Sequence, residues 1–133
     1  MRKRIRGASS AALLVVLSLL GACESSPQIT GSWETQEPLR RRTAYVFRED
    51  GTGFRIAGGR MEHFRYAVDP EPDPAPLDLW VRGPGGAERR IAGIVQLRGA
   101  AGLRIRLAPP GEPRPREFSR AAPGTFFRRS LPR

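Results

Sequence analysis

The sequence contains one cysteine, Cys23, and one histidine, His63, among 133 residues. With a single thiol the chain cannot form an internal disulfide, so its fold depends on its core alone. A metal site at His63 would need carboxylates for all its other ligands, and we therefore expect a surface histidine without a metal or other cofactor. No Gly-x-Ser-x-Gly motif occurs and His63 has no evident catalytic partner, so we do not expect an enzyme.

One acidic segment has the spacing of a calcium loop. Asp69, Glu71 and Asp73 stand at alternate positions in "DPEPDP", as the first oxygen ligands of such a loop do. The intervening prolines stiffen the segment as polyproline II, and no glycine or bidentate glutamate follows at the required spacing. The segment is therefore interpreted as a rigid acidic connection between strands.

Long apolar runs are also lacking, except near the N-terminus. "MRKRIRG" carries four positive charges, and an uncharged stretch follows from Ala8 to Ala22, with its apolar core at Ala11 to Leu20. A membrane-spanning helix needs about 20 apolar residues, so this core is too short to cross a bilayer. A positive start, an apolar middle and small residues at the end are typical of a secretory signal peptide. The sequence predicts one over residues 1–22.

The end of this segment, "LGAC" at 20–23, resembles the lipobox of bacterial lipoproteins. In that family the cysteine sulfur receives a diacylglycerol, the peptide is cut before the cysteine, and the new N-terminus takes a further fatty acid such as palmitate. The resemblance implies that Cys23 is lipidated, that residues 23–28 are a tether, and that a membrane of the bacterial cell envelope holds the protein. It does not distinguish the inner from the outer membrane. A plain secreted protein with an incidental cysteine is the alternative.

Negative charge is scarce, since the sequence has 13 acidic residues and 23 basic ones. After removal of residues 1–22, 19 basic and 13 acidic residues remain, a net charge of +6. Such a balance suits nucleic acid or an anionic membrane surface. Export makes nucleic acid an unexpected partner, whereas anionic lipid headgroups beside the anchor remain a candidate.

Apolar and polar residues alternate with a period of two in short runs separated by glycine, proline and aspartate. Phe64, Tyr66 and Val68 share one face of such a run, and Leu103 and Ile105 share one face of another. The pattern predicts an all-β domain over 29–133, an antiparallel up-and-down barrel of about eight strands. The candidate strands are 29–36, 42–49, 53–58, 63–69, 77–83, 89–99, 102–108, 116–120 and 125–131.

The first of these strands carries a family resemblance. Gly31 and Trp33 in "TGSWE" resemble the Gly-x-Trp signature of lipocalins, and "PLDLWV" and "APPGEPRPREF" are similar to segments of a family of small exported bacterial lipocalin-like domains. The resemblance implies a lipocalin-like barrel in which Trp33 plugs one end. An arginine of the last strand, Arg128 or Arg129, would pack over that tryptophan as a structural contact. The family has no established activity to carry over.

Barrels of about eight strands either fill their interior with side chains or hold one small ligand. The short domain favours a filled interior, but the same side chains would line a cavity. The sequence thus favours a non-enzymatic, lipid-anchored envelope protein, with a small apolar ligand as a candidate. The alternative is a structural or interaction lipoprotein that binds a protein partner or an anionic surface through its arginine-rich face, which includes Arg104 and Arg106. The expected core or cavity lining is Trp33, Tyr45, Phe47, Phe54, Phe64, Tyr66, Leu79, Val95 and Ile105.

Overall fold

The computed structural model describes residues 29–38 and 41–130, which form one closed barrel. Each strand is antiparallel to its neighbours, and the first strand pairs with the last, so the described strands leave no edge unpaired. The predicted all-β antiparallel barrel of about eight strands is confirmed. The strands are β1 Gly31–Glu34, β2 Thr43–Phe47, β3 Thr52–Ala57, β4 Arg60–Val68, β5 Ala75–Arg82, β6 Glu88–Arg98, β7 Gly102–Leu107 and β8 Thr125–Arg129.

Three of the predicted features lie outside the described residues. They are the signal peptide over 1–22, the lipidated Cys23 and the tether over 23–28, and they stay predictions. Across 29–38 and 41–130, no helix has the length and the apolar character that crossing a membrane would require.

The predicted strand over 116–120 is wrong. This segment forms no strand and lies within the long connection from β7 to β8. Pro113 and Pro115 stand in the same connection, and proline cannot donate to a strand ladder. The alternating pattern of "REFSR" therefore reflects a segment that packs on the barrel from outside.

The core lies inside the barrel and is built from alternate residues of most strands. Its largest fully buried side chains include Trp33, Phe47 and Leu103. Gly53 leaves room for a ring, because a Cβ built there would come within 2.8 Å of the Phe64 side chain. The buried core cluster comprises Ile29, Trp33, Tyr45, Phe47, Phe64, Tyr66, Leu77, Leu79, Val81, Val95, Leu103, Ile105 and Phe127.

On β3 the large apolar residues point out of the barrel, whereas the aromatic residues of β2 and β4 point into it. Tyr45 on β2 is paired with Arg55 on β3, and Arg55 is paired with Glu62 on β4. Because cross-strand partners share a face and Tyr45 lies in the core, the two charged residues point into the barrel. Phe54 therefore points outward and is half-buried, so its predicted place in the core lining is wrong.

Candidate functional site

Trp33 closes the barrel near the point where the described chain begins. Its indole Nε1 donates a hydrogen bond to the carbonyl of Ile29 at 2.7 Å. The guanidinium carbon of Arg129 lies 4.2 Å from the centroid of the Trp33 ring, while Arg128 points outward and is exposed. Gly31 has a φ of 128°, a backbone conformation that favours glycine, and a Cβ there would also meet the Arg129 guanidinium at 2.6 Å. The contact joins the first strand of the barrel to the last.

Aromatic rings occupy the interior beyond this plug. Tyr45 and Phe47 are stacked with centroids 5.6 Å apart, and the edge of Phe127 meets Tyr45 at 5.3 Å. Phe47 also contacts Tyr66 at 5.0 Å and Phe64 at 5.6 Å. These distances are those of rings in direct contact. The side chains that were expected to line a ligand cavity therefore pack against one another.

A charged pair faces inward toward the end of the barrel at which β3 passes to β4. The Arg55 guanidinium donates to the Glu62 carboxylate at 2.6 Å, and both side chains are about 40% exposed. Burial raises the pKa of the Tyr45 hydroxyl, and the neighbouring Arg55 offsets part of that rise. The two charges of this pair compensate each other.

The sole histidine and the acidic segment lie apart from each other. His63 is exposed on the outer face, with its ring centroid 6.0 Å from that of Phe54. The Asp69 carboxylate accepts from the backbone of Glu71 at 3.2 Å, and Asp73 accepts from the Gln96 amide at 3.1 Å. Within the described ranges, no group of three or more His, Cys, Asp or Glu side chains is placed to hold a metal ion.

Residues 108–124, here called the strap, cross the outer face of β5, β6 and β7. The Arg114 guanidinium donates to the carbonyls of Leu77 and Gly93, both at 2.8 Å, and to the Asp78 carboxylate at 2.6 Å. The adjacent Ile94 points outward and is nonetheless only 2% exposed. The strap thus covers a second, smaller apolar layer outside the barrel.

The strap also occupies the arginines of β7. Arg104 lies over the ring of Phe118, 4.1 Å from its centroid, and donates to the Gln96 amide oxygen at 2.8 Å. Arg106 donates to the carbonyl of Glu117 at 2.7 Å. The arginine face that was expected on this strand is therefore largely engaged within the protein.

A different part of the outer surface is open and positively charged. A shallow groove of about 410 Å³ crosses the outside of β3 to β6. The Arg48 guanidinium carbon lies 5.2 Å from the Phe54 ring, and that of Arg65 lies 5.2 Å from the Trp80 ring. Arg65 also forms an ion pair with Glu88. The lining residues are Arg48, Thr52, Gly53, His63, Phe64, Arg65, Trp80, Arg82 and Glu88.

An apolar surface, here called the β2–β4 outer face, lies beside this groove. Phe54 is the cross-strand partner of Val46, and Ile56 is the partner of both Ala44 and Met61. Met61 is 55% exposed, and the other four are half-buried. Sequence reasoning missed this face because it assigned Phe54 to the interior; the signal was the inward arginine, Arg55, between two outward apolar residues.

Comparison of the chain with protein-family models, with curated proteins and with solved structures finds no significant match.

Proposed function

We propose that this protein is a lipid-anchored component of the bacterial cell envelope. Its lipocalin-like barrel is a non-enzymatic interaction domain that works through its outer surface. The packed interior carries this proposal over the alternative of a carrier for a small apolar ligand. Tyr45, Phe47 and Phe127 touch one another where a ligand would have to sit, and a barrel of this size either fills its interior or holds a ligand.

The lipocalin-like assignment draws support from the plugged end. The Gly-x-Trp signature of that family begins β1 here, and Arg129 from the last strand packs over Trp33 at 4.2 Å. The eight-stranded meander closed by β1 and β8 is the corresponding topology.

The anchor assignment draws support from the position of Cys23. The cysteine precedes Gly31, the first residue of β1, by eight residues. Two or more acyl chains on Cys23 would give a stable anchor, since each buried CH₂ group contributes about 0.8 kcal/mol. The barrel would then work at the membrane surface.

Mass spectrometry of protein purified from bacterial membranes tests both the lipid anchor and the filled barrel. Under denaturing conditions the expected mass is that of residues 23–133 plus acyl groups on Cys23. Under native conditions the expected mass is the same, because a filled barrel carries no cargo. Cys23→Ser is the test variant for the anchor, with Ser25→Ala as its matched control.

Two results would contradict the proposal. An unmodified Cys23 in the membrane-derived protein would remove the anchor. A small-molecule mass present only under native conditions, and displaced by an apolar fluorescent probe, would restore the ligand carrier.

A further inference from the structure

From the outer groove and the β2–β4 outer face beside it, we propose that this side of the barrel docks on an anionic phospholipid bilayer, with a headgroup phosphate in the groove. The inference rests on the proposed function, because the lipid anchor is what brings the barrel to the bilayer. It adds to that function the docking surface, its residues and the chemistry of its partner.

The groove has the chemistry of a phosphate site. It is lined by three guanidinium groups, those of Arg48, Arg65 and Arg82, and by a single carboxylate, that of Glu88. A guanidinium presents a planar fork of donors that matches phosphate oxygens. Glu88 is committed to Arg65, and within the described ranges neither Arg48 nor Arg82 forms an ion pair.

The two acidic residues that follow Arg48, Glu49 and Asp50, do not line the groove. The Asp50 carboxylate accepts from the Thr52 hydroxyl at 2.6 Å and from the Thr52 backbone at 2.9 Å. These hydrogen bonds lower the pKa of Asp50, with the charge of Arg48 adding to the effect. The lining of the groove itself therefore carries three guanidinium groups against one carboxylate.

The β2–β4 outer face supplies the apolar half of an interfacial surface. Phe54 and Ile56 point away from the core on β3, and Met61 on β4 is 55% exposed beside them. Proteins that lie on a bilayer combine such side chains, which enter the headgroup region, with basic residues that meet anionic lipids. Trp80 in the groove is suited to the same region, since indole rings prefer the membrane–water boundary.

The docking surface begins close to the strand at which the chain enters the barrel. Cys23 lies six residues before Ile29, and six extended residues reach about 20 Å at most. The chain enters the barrel at β1, and β3 is two strands away, which is about 10 Å at the usual strand spacing. An acylated Cys23 therefore holds this side of the barrel within reach of the lipid surface.

The charge of the docking surface favours an anionic bilayer over a second copy of the chain as its partner. A two-fold interface pairs a surface with itself, so two copies meeting here would bring Arg48 and Arg82 of both against one another. Like charges placed together oppose association. An anionic bilayer has the complementary sign.

Tryptophan fluorescence gives a direct readout of docking. The chain has two tryptophans, of which Trp33 is fully buried and Trp80 lines the groove. Membrane-purified protein is reconstituted into vesicles of phosphatidylcholine, alone or mixed with phosphatidylglycerol, that include a phospholipid with a nitroxide on its headgroup. Quenching reports a tryptophan close to the headgroups, and Trp80→Phe assigns the quenched residue.

Charge variants then test the groove itself. The double variant Arg48→Gln with Arg82→Gln removes two groove charges, and the control Arg98→Gln with Arg120→Gln removes two exposed charges elsewhere. Met61→Ser tests the apolar half, which free phosphate would not need.

We expect strong quenching of Trp80 in the anionic vesicles and little quenching in the neutral ones. Added salt should reduce the quenching. The groove double variant is expected to lower the ratio of docked to undocked protein roughly 30-fold, given the usual contribution of an arginine near an anionic surface. The control double variant should lower it much less, and Met61→Ser should weaken docking while leaving the arginines in place.

Equal quenching in neutral and anionic vesicles, or equal losses in the two double variants, would overturn the docking surface. Self-association that Met61→Ser abolishes, without quenching by lipid, would assign the face to a second copy and also overturn it. The acyl mass on Cys23 is measured separately. If Cys23 proves unmodified, the proposed function fails, while co-sedimentation of the unacylated protein with the same vesicles still decides the docking.

Discussion

Arg129 lies over the indole ring of Trp33, with its guanidinium carbon 4.2 Å from the ring centroid. The same guanidinium donates hydrogen bonds to the carbonyl of Thr30 at 2.9 Å and to that of Ala100 at 3.1 Å. One side chain of β8 thereby joins the residue before β1 to the turn between β6 and β7. These contacts hold the closed end of the barrel together.

Replacing Arg129 by alanine should destabilise the barrel. A guanidinium over an indole contributes about 1 kcal/mol, and each hydrogen bond to a carbonyl contributes about 1 kcal/mol net. We therefore expect Arg129→Ala to lower the free energy of unfolding by roughly 2–3 kcal/mol, measured by urea titration. Arg128→Ala is the matched control, because its side chain is exposed on the outer face, and it should change the free energy by less than about 0.5 kcal/mol. Equal effects of the two variants would contradict this assignment.

Because Phe54 on β3 points outward and Phe64 on β4 points inward, their replacement by alanine should lower the free energy of unfolding by different amounts. Phe64 is 5% exposed in the core, and truncation of a core phenylalanine to alanine costs about 3–5 kcal/mol. Phe54 points outward and is half-buried, so Phe54→Ala should cost about 1 kcal/mol or less. Thermal unfolding of the two variants measures the difference. A Phe54→Ala variant as damaged as Phe64→Ala would place Phe54 in the core after all.

The alternation of most strands was sufficient to predict the barrel. Phe64 and Tyr66 on β4, and Leu103 and Ile105 on β7, were assigned to the face that the structure buries. Each of these strands has one clearly apolar face, and a shift of one residue would expose it.

Strand β3 misled the same reasoning because its apolar residues are not its inward ones. Phe54 was assigned to the core, but the pairing of Arg55 with Tyr45 and Glu62 turns Arg55 inward and Phe54 outward. Pairing register is a relation between strands, and a single strand's pattern does not contain it. The outer groove escaped prediction for the same reason, since its residues come from the β2–β3 turn and from four different strands.

Residues 116–120 of the strap were predicted to be a strand because their polar and apolar residues alternate. What holds the strap is Arg114, which donates to two backbone carbonyls of β5 and β6 and to Asp78. Such long-range side-chain contacts leave no periodic signal in the sequence.

Removing Arg114 should free the strap before it unfolds the barrel. Arg114→Ala leaves the carbonyls of Leu77 and Gly93 without this donor, and we expect a loss of about 2 kcal/mol in the free energy of unfolding. Faster amide hydrogen exchange at Ala108, a buried strap residue whose amide donates to the carbonyl of Ala92 at 2.8 Å, would report local opening. Arg116→Ala, at an exposed position of the strap, is the control and should leave exchange at Ala108 unchanged. Unchanged exchange in Arg114→Ala would contradict the role given to Arg114.

The two tyrosines of the chain make stability depend on pH in the alkaline range. Burial raises the pKa of Tyr45, an effect that Arg55 partly offsets, and burial also raises the pKa of Tyr66, in both cases above the ordinary value of 10.0. The unfolded chain therefore releases these protons at lower pH than the native chain does. The free energy of unfolding should fall as pH rises past 10, and the loss should continue until the native hydroxyls also ionise.

Phenolate absorbance checks this prediction, because both tyrosines carry the shift. The native protein should titrate at higher pH than the protein in concentrated urea, and Tyr66→Phe should isolate the contribution of Tyr45. A native titration at or below that of the unfolded chain would show that the hydroxyls are accessible, contrary to their positions.

The central claim is that side chains fill the barrel, which leaves the outer surface to do the work. The most direct test is a crystal structure of the protein under xenon pressure, because xenon enters apolar cavities and is easily located. We predict no xenon site within the barrel of the unaltered protein, whereas Phe47→Ala, which removes a fully buried ring, should create one. Xenon bound among Tyr45, Phe47 and Phe64 in the unaltered protein would contradict the filled interior and point back to a ligand carrier.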